Sequence, residues 1–143
     1  MNHKRVTAAG ASALLFCLSL LPLNVNARTD KLVEPDPFTP ACSLPTDKLQ
    51  NTIVTAAAVR GWTVVDKTPN NMELRYIKGE NKHVLVVNVS YHSNRIAVTY
   101  KDSTNLDYKV KKNGDRYLHP RPIGWMQNLS GDIQRGIEVQ CSQ

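Results

Sequence analysis

The chain has 143 residues, of which 41% are hydrophobic and 21% charged, with 18 basic side chains, 12 acidic side chains and three cysteines. This composition is typical of one modest globular domain. It excludes a large multidomain enzyme, a collagen-like or mostly disordered chain, and a polytopic membrane protein.

The first 27 residues predict a signal peptide. Lys4 and Arg5 precede an uncharged apolar run, residues 8–21, and the small-residue ending Val25-Asn26-Ala27 is typical of a signal-peptidase site. The apolar run is shorter than the roughly 20 residues that span a bilayer. We therefore expect an exported chain, periplasmic or secreted, that begins at Arg28 and has no transmembrane span.

Cys17 leaves a lipid anchor in the outer membrane as the alternative. Lipoprotein processing cuts just before a cysteine and needs small residues there, whereas the bulky Phe16 precedes Cys17. Without residues 1–27 the net charge is +4, because that segment holds two basic and no acidic residues. Because the chain is expected to be exported, we do not expect nucleic acid as a partner. An envelope protein, an anionic envelope polymer or a lipid head group is compatible with the charge, and we expect a monomer.

The two remaining cysteines, Cys42 and Cys141, are predicted to form a disulfide, because exported proteins fold in an oxidising compartment. The sequence contains no CxxC motif, and no second sulfur lies near either cysteine. We therefore expect a structural bridge and neither a zinc nor a redox site.

The proline-rich residues 28–41 predict an extended tether, followed by a single α+β domain in residues 42–143. Apolar residues at helical spacing predict a first helix over 46–60, and Gly61 stands where a left-handed C-terminal cap belongs. A second helical stripe predicts a helix over 124–139.

Four segments between these helices predict strands: residues 62–65, 72–76, 84–91 and 96–100. Short turns separate them, which favours an antiparallel β-meander of three to four strands. The predicted fold class is α+β, with the N-terminal and the C-terminal helix packed on one face of the sheet. We expect the interior to contain Leu49, Ile53, Trp125, Leu129 and Ile133.

Residues 100–108 form the motif Y-x-D-S-x-N-L-x-Y. Through this motif the chain resembles a family of small uncharacterised exported proteins and lipoproteins of Gram-negative bacteria. Residues 58–62, Leu118-His119, Trp125 and Leu129 add to this resemblance, which covers residues 46–139. It implies an α+β domain in the cell envelope and brings no established activity, cofactor or partner. The chain departs from the family at Ile123-Gly124, where members carry a Tyr-Asn pair.

Residues 101–122 are polar, and Pro120 and Pro122 predict a long loop, with room for one short strand. Asp102, Asn105, Tyr108 and His119 are candidates for a polar pocket. Residues 102–105 are more typical of side chains that only hold a tight turn. The same segment holds the densest basic cluster of the chain, which could bind an anionic glycan or lipid head group or could be a solvated loop. This cluster contains Lys109, Lys111, Lys112, Arg116 and Arg121, with Tyr108 and Tyr117 interleaved.

The segment also permits a catalytic hypothesis, in which Ser103, His119 and Asp102 form a hydrolase triad for envelope material. No strained nucleophile motif surrounds Ser103, so we expect no enzyme. The histidines lack paired spacing and no phosphate-binding glycine loop is present, so we expect no metal and no cofactor. The favoured hypothesis is a noncatalytic envelope binding module that uses residues 101–122.

Overall fold

The computed structural model describes residues 28–92 and 94–143, so the predicted signal peptide and Cys17 lie outside the described residues. Two helices and seven strands follow one another along this part of the chain. In chain order they are β1 (Asp30–Lys31), α1 (Thr46–Val59), β2 (Thr63–Lys67), β3 (Asn71–Lys78), β4 (His83–His92), β5 (Arg95–Thr104), β6 (Lys109–Val110), β7 (Arg116–Leu118) and α2 (Pro120–Cys141).

Helix α1 ends as its sequence predicts. Gly61 has a φ of +83°, a left-handed conformation that glycine adopts without a Cβ penalty. Its N–H donates to Ala58 O at 2.9 Å, and the Trp62 N–H donates to Ala57 O at 3.1 Å. These two bonds form a Schellman motif, which satisfies carbonyls of the last turn and directs the chain into β2.

Strands β2 to β5 form an antiparallel meander in the order β2-β3-β4-β5, so the predicted meander is confirmed. The most apolar strand, β4, pairs with β3 on one side and β5 on the other. Its alternate residues Leu85, Val87, Val89 and Tyr91 are buried, whereas the residues between them are half-buried. One face of the sheet therefore points into the core, as is usual for an antiparallel sheet with a single covered face.

The two helices pack against each other and over this buried face, which confirms the α+β class. A methyl group at Gly136 of α2 would lie 3.2 Å from Thr52 Cγ2 of α1, so the helix backbones approach closely. Of the residues expected inside, Ile53, Leu129 and Ile133 are fully buried. Leu49 and Trp125 are only partly buried and pack at the margin of the core.

The predicted disulfide is confirmed. Cys42 and Cys141 are joined by an S–S bond of 2.05 Å. The bridge connects the segment before α1 to the last turn of α2 and so links two antiparallel helices at the same end.

Residues 28–41, predicted to be a tether, instead lie against the domain. Phe38 and Ile96 exchange two backbone hydrogen bonds of 2.9 Å, and the Tyr100 N–H donates to Glu34 Oε1 at 3.0 Å. The side chain of Leu32 is buried. The physical reason is the open edge of β5, whose backbone groups need partners that the extended segment supplies.

Strand β1, in the same segment, pairs with β7 and completes a second sheet in the order β1-β7-β6. The folded unit therefore includes residues 28–41. In the part of the chain that the structure describes, no helix has both the length and the apolar character needed to cross a membrane.

Candidate functional site

The predicted loop at residues 101–122 is wrong in its secondary structure. Strand β5 continues through Thr104, the hairpin β6–β7 follows, and α2 begins at Pro120. Proline is favoured at the first helical position because its missing N–H would have no helical partner there. His119 caps the helix, since its Nδ1 accepts a hydrogen bond from Arg121 N at 3.2 Å.

The predicted turn at residues 102–105 is a strand over most of its length, and this separates two residues of the hypothetical triad. Ser103 is paired with the buried Leu85, and Asp102 is paired with Val86 on the opposite face. Successive strand residues point to opposite faces. The Ser103 hydroxyl contacts Tyr100 Oη at 2.9 Å. The backbone N–H of Ser103 donates to Asp102 Oδ1 at 2.8 Å. Among the residues that the structure describes, however, no hydrogen bond joins the Ser103 hydroxyl to His119 or His119 to Asp102.

The small sheet brings part of the predicted basic cluster together on one face. Lys31 of β1 and Lys109 of β6 both stand opposite Tyr117 of β7 in register. Lys111 places its Nζ 4.0 Å from the centre of the Tyr117 ring, a distance at which a cation is attracted to the aromatic face. We call Lys31, Lys109, Lys111 and Tyr117 the basic face.

An ordered turn supports the basic face. Lys111 N donates to Asp115 O, Gly114 N donates to Lys111 O, and Asp115 N donates to Asn113 Oδ1. Lys31 Nζ lies 2.8 Å from Asp115 Oδ1. This hydrogen bond lowers the pKa of the Asp115 carboxyl and raises the pKa of the Lys31 ammonium. The hairpin therefore holds its lysines on a defined backbone and not on a mobile loop.

Three predicted binding residues are placed elsewhere. Tyr108 stacks on Tyr100, with ring centres 4.6 Å apart. Arg116 Nη2 pairs with Glu34 Oε1 at 3.1 Å. Lys112 is exposed in the hairpin turn beside the basic face. Lys31 was not predicted at all, because its segment carried only the signals of an extended tether.

A separate cavity of about 500 Å³, which we call the end cavity, lies where the sheet meets the first turn of α2. It brings Asn105 and His119 together, as predicted, but Asp102 and Tyr108 do not line it. The other polar side chains in its wall are those of Lys78, His83, Asp107 and Arg121, and Trp125 supplies an aromatic surface.

Hydrogen bonds fix the floor of the end cavity. Asn105 and Asp107 have positive φ angles of 55° and 57°, a conformation that Asn and Asp tolerate better than other non-glycine residues. Between them Leu106 is buried, and its carbonyl accepts from His119 N at 2.9 Å. His83 Nδ1 lies 2.9 Å from Asn105 O. These contacts join β4, the end of β5 and α2.

Within residues 28–92 and 94–143, no group of three or more His, Cys, Asp or Glu side chains is placed to hold a metal ion.

Comparison of the chain with protein-family models, with curated proteins and with solved structures finds no match in any of the three.

Proposed function

We propose that this protein is a noncatalytic binding module of the bacterial cell envelope that engages an anionic polymer or lipid head group. The observation that carries the proposal is the basic face, where three lysines surround one tyrosine on an ordered sheet. The family resemblance and the predicted signal peptide support the location. The Cys42–Cys141 disulfide also supports it, because such bonds persist in oxidising compartments.

The charge balance of the basic face favours an anionic partner. Lys31, Lys109 and Lys111 are exposed, and Lys112 adds a fourth positive charge in the adjacent turn. Among the described residues, the one carboxylate that forms an ion pair with this group is Asp115, which pairs with Lys31. Each lysine near an anionic membrane surface contributes about 1 kcal/mol to binding. The three uncompensated lysines together therefore favour binding to an anionic surface by about 3 kcal/mol.

The ordered hairpin reduces the entropic cost of binding. Two of the lysines lie on paired strands, and the Tyr117 ring beneath Lys111 restricts that side chain. Groups that are already in place lose less conformational freedom when a partner binds. A solvated loop with the same composition would lack this advantage. The hydrolase alternative gains no comparable support, because the Ser103 hydroxyl bonds to Tyr100 and His119 Nδ1 bonds to Arg121 N.

The test is a triple variant, Lys109→Ser, Lys111→Ser and Lys112→Ser, with a charge-matched control, Lys48→Ser, Lys67→Ser and Lys82→Ser. The control lysines are exposed and form no ion pair within the described residues. Arg116 is kept, because its ion pair with Glu34 fastens the N-terminal segment.

Both variants are compared with the parent by sedimentation with vesicles that contain phosphatidylglycerol and by retention on an anionic polysaccharide matrix. The variant that lacks Lys109, Lys111 and Lys112 should lose on the order of a hundredfold in affinity, because about 1 kcal/mol is lost for each lysine. Its residual binding should depend less on salt. The control should bind nearly as the parent does. An equal loss of binding in the two variants would show that net charge, and not this surface, is responsible. Binding of the Lys109, Lys111 and Lys112 variant that equals that of the parent would overturn the proposal.

A further inference from the structure

The end cavity has the chemistry of a small-molecule site, and the basic face does not use it. Its volume of about 500 Å³ lies inside the range of roughly 300 to 1,000 Å³ that is typical of ligand pockets. Its three charged side chains, Lys78, Asp107 and Arg121, form no ion pair with another described residue. We propose that the end cavity is a second binding site, for a monosaccharide-sized sugar that carries a carboxylate.

The carboxylate is expected because cations outnumber anions in the wall. Lys78 stands at the end of β3 and Arg121 in the first turn of α2, whereas Asp107 is the one acidic residue of the lining. A guanidinium group can bind a carboxylate through two parallel hydrogen bonds. A phosphate dianion fits less well, because Asp107 would repel its second charge.

The start of α2 does not supply the anion site by itself. Pro120 and Pro122 have no N–H group, and the N–H of Arg121 already donates to His119 Nδ1. Most of the backbone donors that usually attract anions at a helix start are thus absent or occupied. Recognition of the carboxylate therefore falls to the side chains of Arg121 and Lys78.

The sugar ring is expected because the wall also holds an aromatic surface and hydroxyl partners. Trp125 is partly buried, and its ring centre lies 4.9 Å from that of Tyr76 in an edge-to-face arrangement, which fixes its position. The Asp107 carboxylate accepts hydrogen bonds. Because His119 Nδ1 accepts from Arg121 N, the proton of a neutral imidazole is on Nε2, which can donate. A hydroxylated ring uses acceptors and donors together, whereas a simple carboxylate such as acetate uses only the cations.

The experiment is a titration of the purified protein with glucuronate, followed by NMR of the two tryptophan indole N–H signals. Trp125 lines the cavity, whereas Trp62 is buried in the core and serves as the internal control. Glucose and acetate are titrated separately. Glucuronate should shift the Trp125 signal with a dissociation constant of about 1 mM. No shift of that signal would overturn the proposal. Binding of glucose or of acetate as tight as that of glucuronate would overturn it as well.

Two variants and a matched control locate the site. Arg121→Gln should weaken glucuronate binding by about tenfold, because a charge-assisted pair is lost. Asp107→Asn should fold normally, since asparagine tolerates the left-handed conformation. It should not weaken glucuronate binding, because the amide oxygen still accepts hydrogen bonds and the repulsion between two carboxylates is removed. The control is Arg75→Gln on the other face of the sheet, where Arg75 is exposed and pairs in register with Thr63 and Val86.

Glucuronate affinity that is unchanged in Arg121→Gln would overturn the assignment of the anion partner. The outcomes are independent of the proposed envelope binding. The triple lysine variant of the basic face should keep its glucuronate affinity, and Arg121→Gln should keep its binding to anionic vesicles.

Discussion

Replacing both Cys42 and Cys141 by alanine removes the covalent link between the segment before α1 and the end of α2. The two cysteines are 99 residues apart. In the chain-entropy model, a loop of about 100 residues restricts the unfolded chain by about 4.7 kcal/mol at 25 °C. Removal of a native disulfide from a small secreted domain costs roughly 2 to 5 kcal/mol in practice. We therefore expect the free energy of unfolding to fall by an amount in this range.

The folded domain should persist in the double variant, because the helices remain packed at Gly136 and the meander is unaffected. Unfolding entropy is about 2.1 cal/mol/K per residue, or roughly 0.24 kcal/mol/K for residues 28–143, so the melting temperature should fall by about 10 to 20 °C. The dependence on denaturant should become steeper, because an unlinked unfolded chain exposes more surface.

Urea denaturation of the parent, the reduced parent and the double variant, followed by circular dichroism, measures these changes. A reductant should destabilise the parent to the level of the double variant and should leave the double variant itself unchanged. If the parent and the double variant agree within about 0.5 kcal/mol, the reasoning from unfolded-chain entropy is refuted. Two reactive thiols in the native parent would show that the bond does not form.

Two further changes test the packing of the N-terminal segment and the ion pairs of α2. Leu32 is buried, so Leu32→Ala should lower the free energy of unfolding by about 2 to 3 kcal/mol. The control Val33→Ala, at a side chain that is 59% exposed, should change that free energy by less than about 0.5 kcal/mol. Equal effects of the two changes would mean that the N-terminal segment adds no side chain to the hydrophobic core. Asp132 of α2 forms ion pairs with Arg60 and Arg135. The hydrogen bond from Arg60 is the larger cause, and that from Arg135 the smaller cause, of a lowered pKa of the Asp132 carboxyl. The stability that the ionised Asp132 adds is therefore complete above the unfolded pKa near 4 and is lost as the pH falls through the lower folded pKa. Asp132→Asn should accordingly be less stable than the parent by about 0.5 to 1 kcal/mol at pH 7, and urea curves recorded in strong acid should show that difference disappear.

The elements with local signals could be predicted from the sequence. The apolar stripe of α1 is followed by Gly61, whose positive φ ends the helix. In β4 the alternation of apolar and less buried residues places Leu85 and Val87 in the core. Each of these signals depends on residues within a few positions of one another. Helical periodicity and strand alternation are therefore sufficient to recognise the two helices, the meander and the fold class.

The elements that were missed depend on partners far along the chain. Residues 28–41 carry prolines and few large apolar side chains, and only the open edge of β5 makes them part of the fold. In the sequence alone Pro120 indicates a loop, whereas in the structure it occupies the first position of α2. Proline disrupts the interior of a helix but is favoured at its start, so the same residue supports both interpretations until the helix is located.

The sequence predicts which residues form the candidate site better than it predicts how these residues are arranged in space. The segment 101–122 does supply most of the basic face and part of the end cavity, but a strand, a hairpin and a helix divide it. Strand alternation places the side chains of Asp102 and Ser103 on opposite faces of the sheet. Lys31 and Lys109 lie on one face only because β1 and β6 both pair with β7. No local pattern indicates that pairing.

The pairing of β1 with β7, and of Cys42 with Cys141, also sets the order in which the protein can fold. The N-terminal residues of a chain are made first and are also the first to become available if the chain is exported. Strand β1 nevertheless has no partner until Arg116–Leu118 are available, and the Cys42 thiol has none until Cys141 is. The meander, whose neighbouring strands are consecutive, can form earlier. Closure of the small sheet and oxidation of the thiols are consequently late steps, and an intact disulfide marks a chain whose synthesis has passed Cys141.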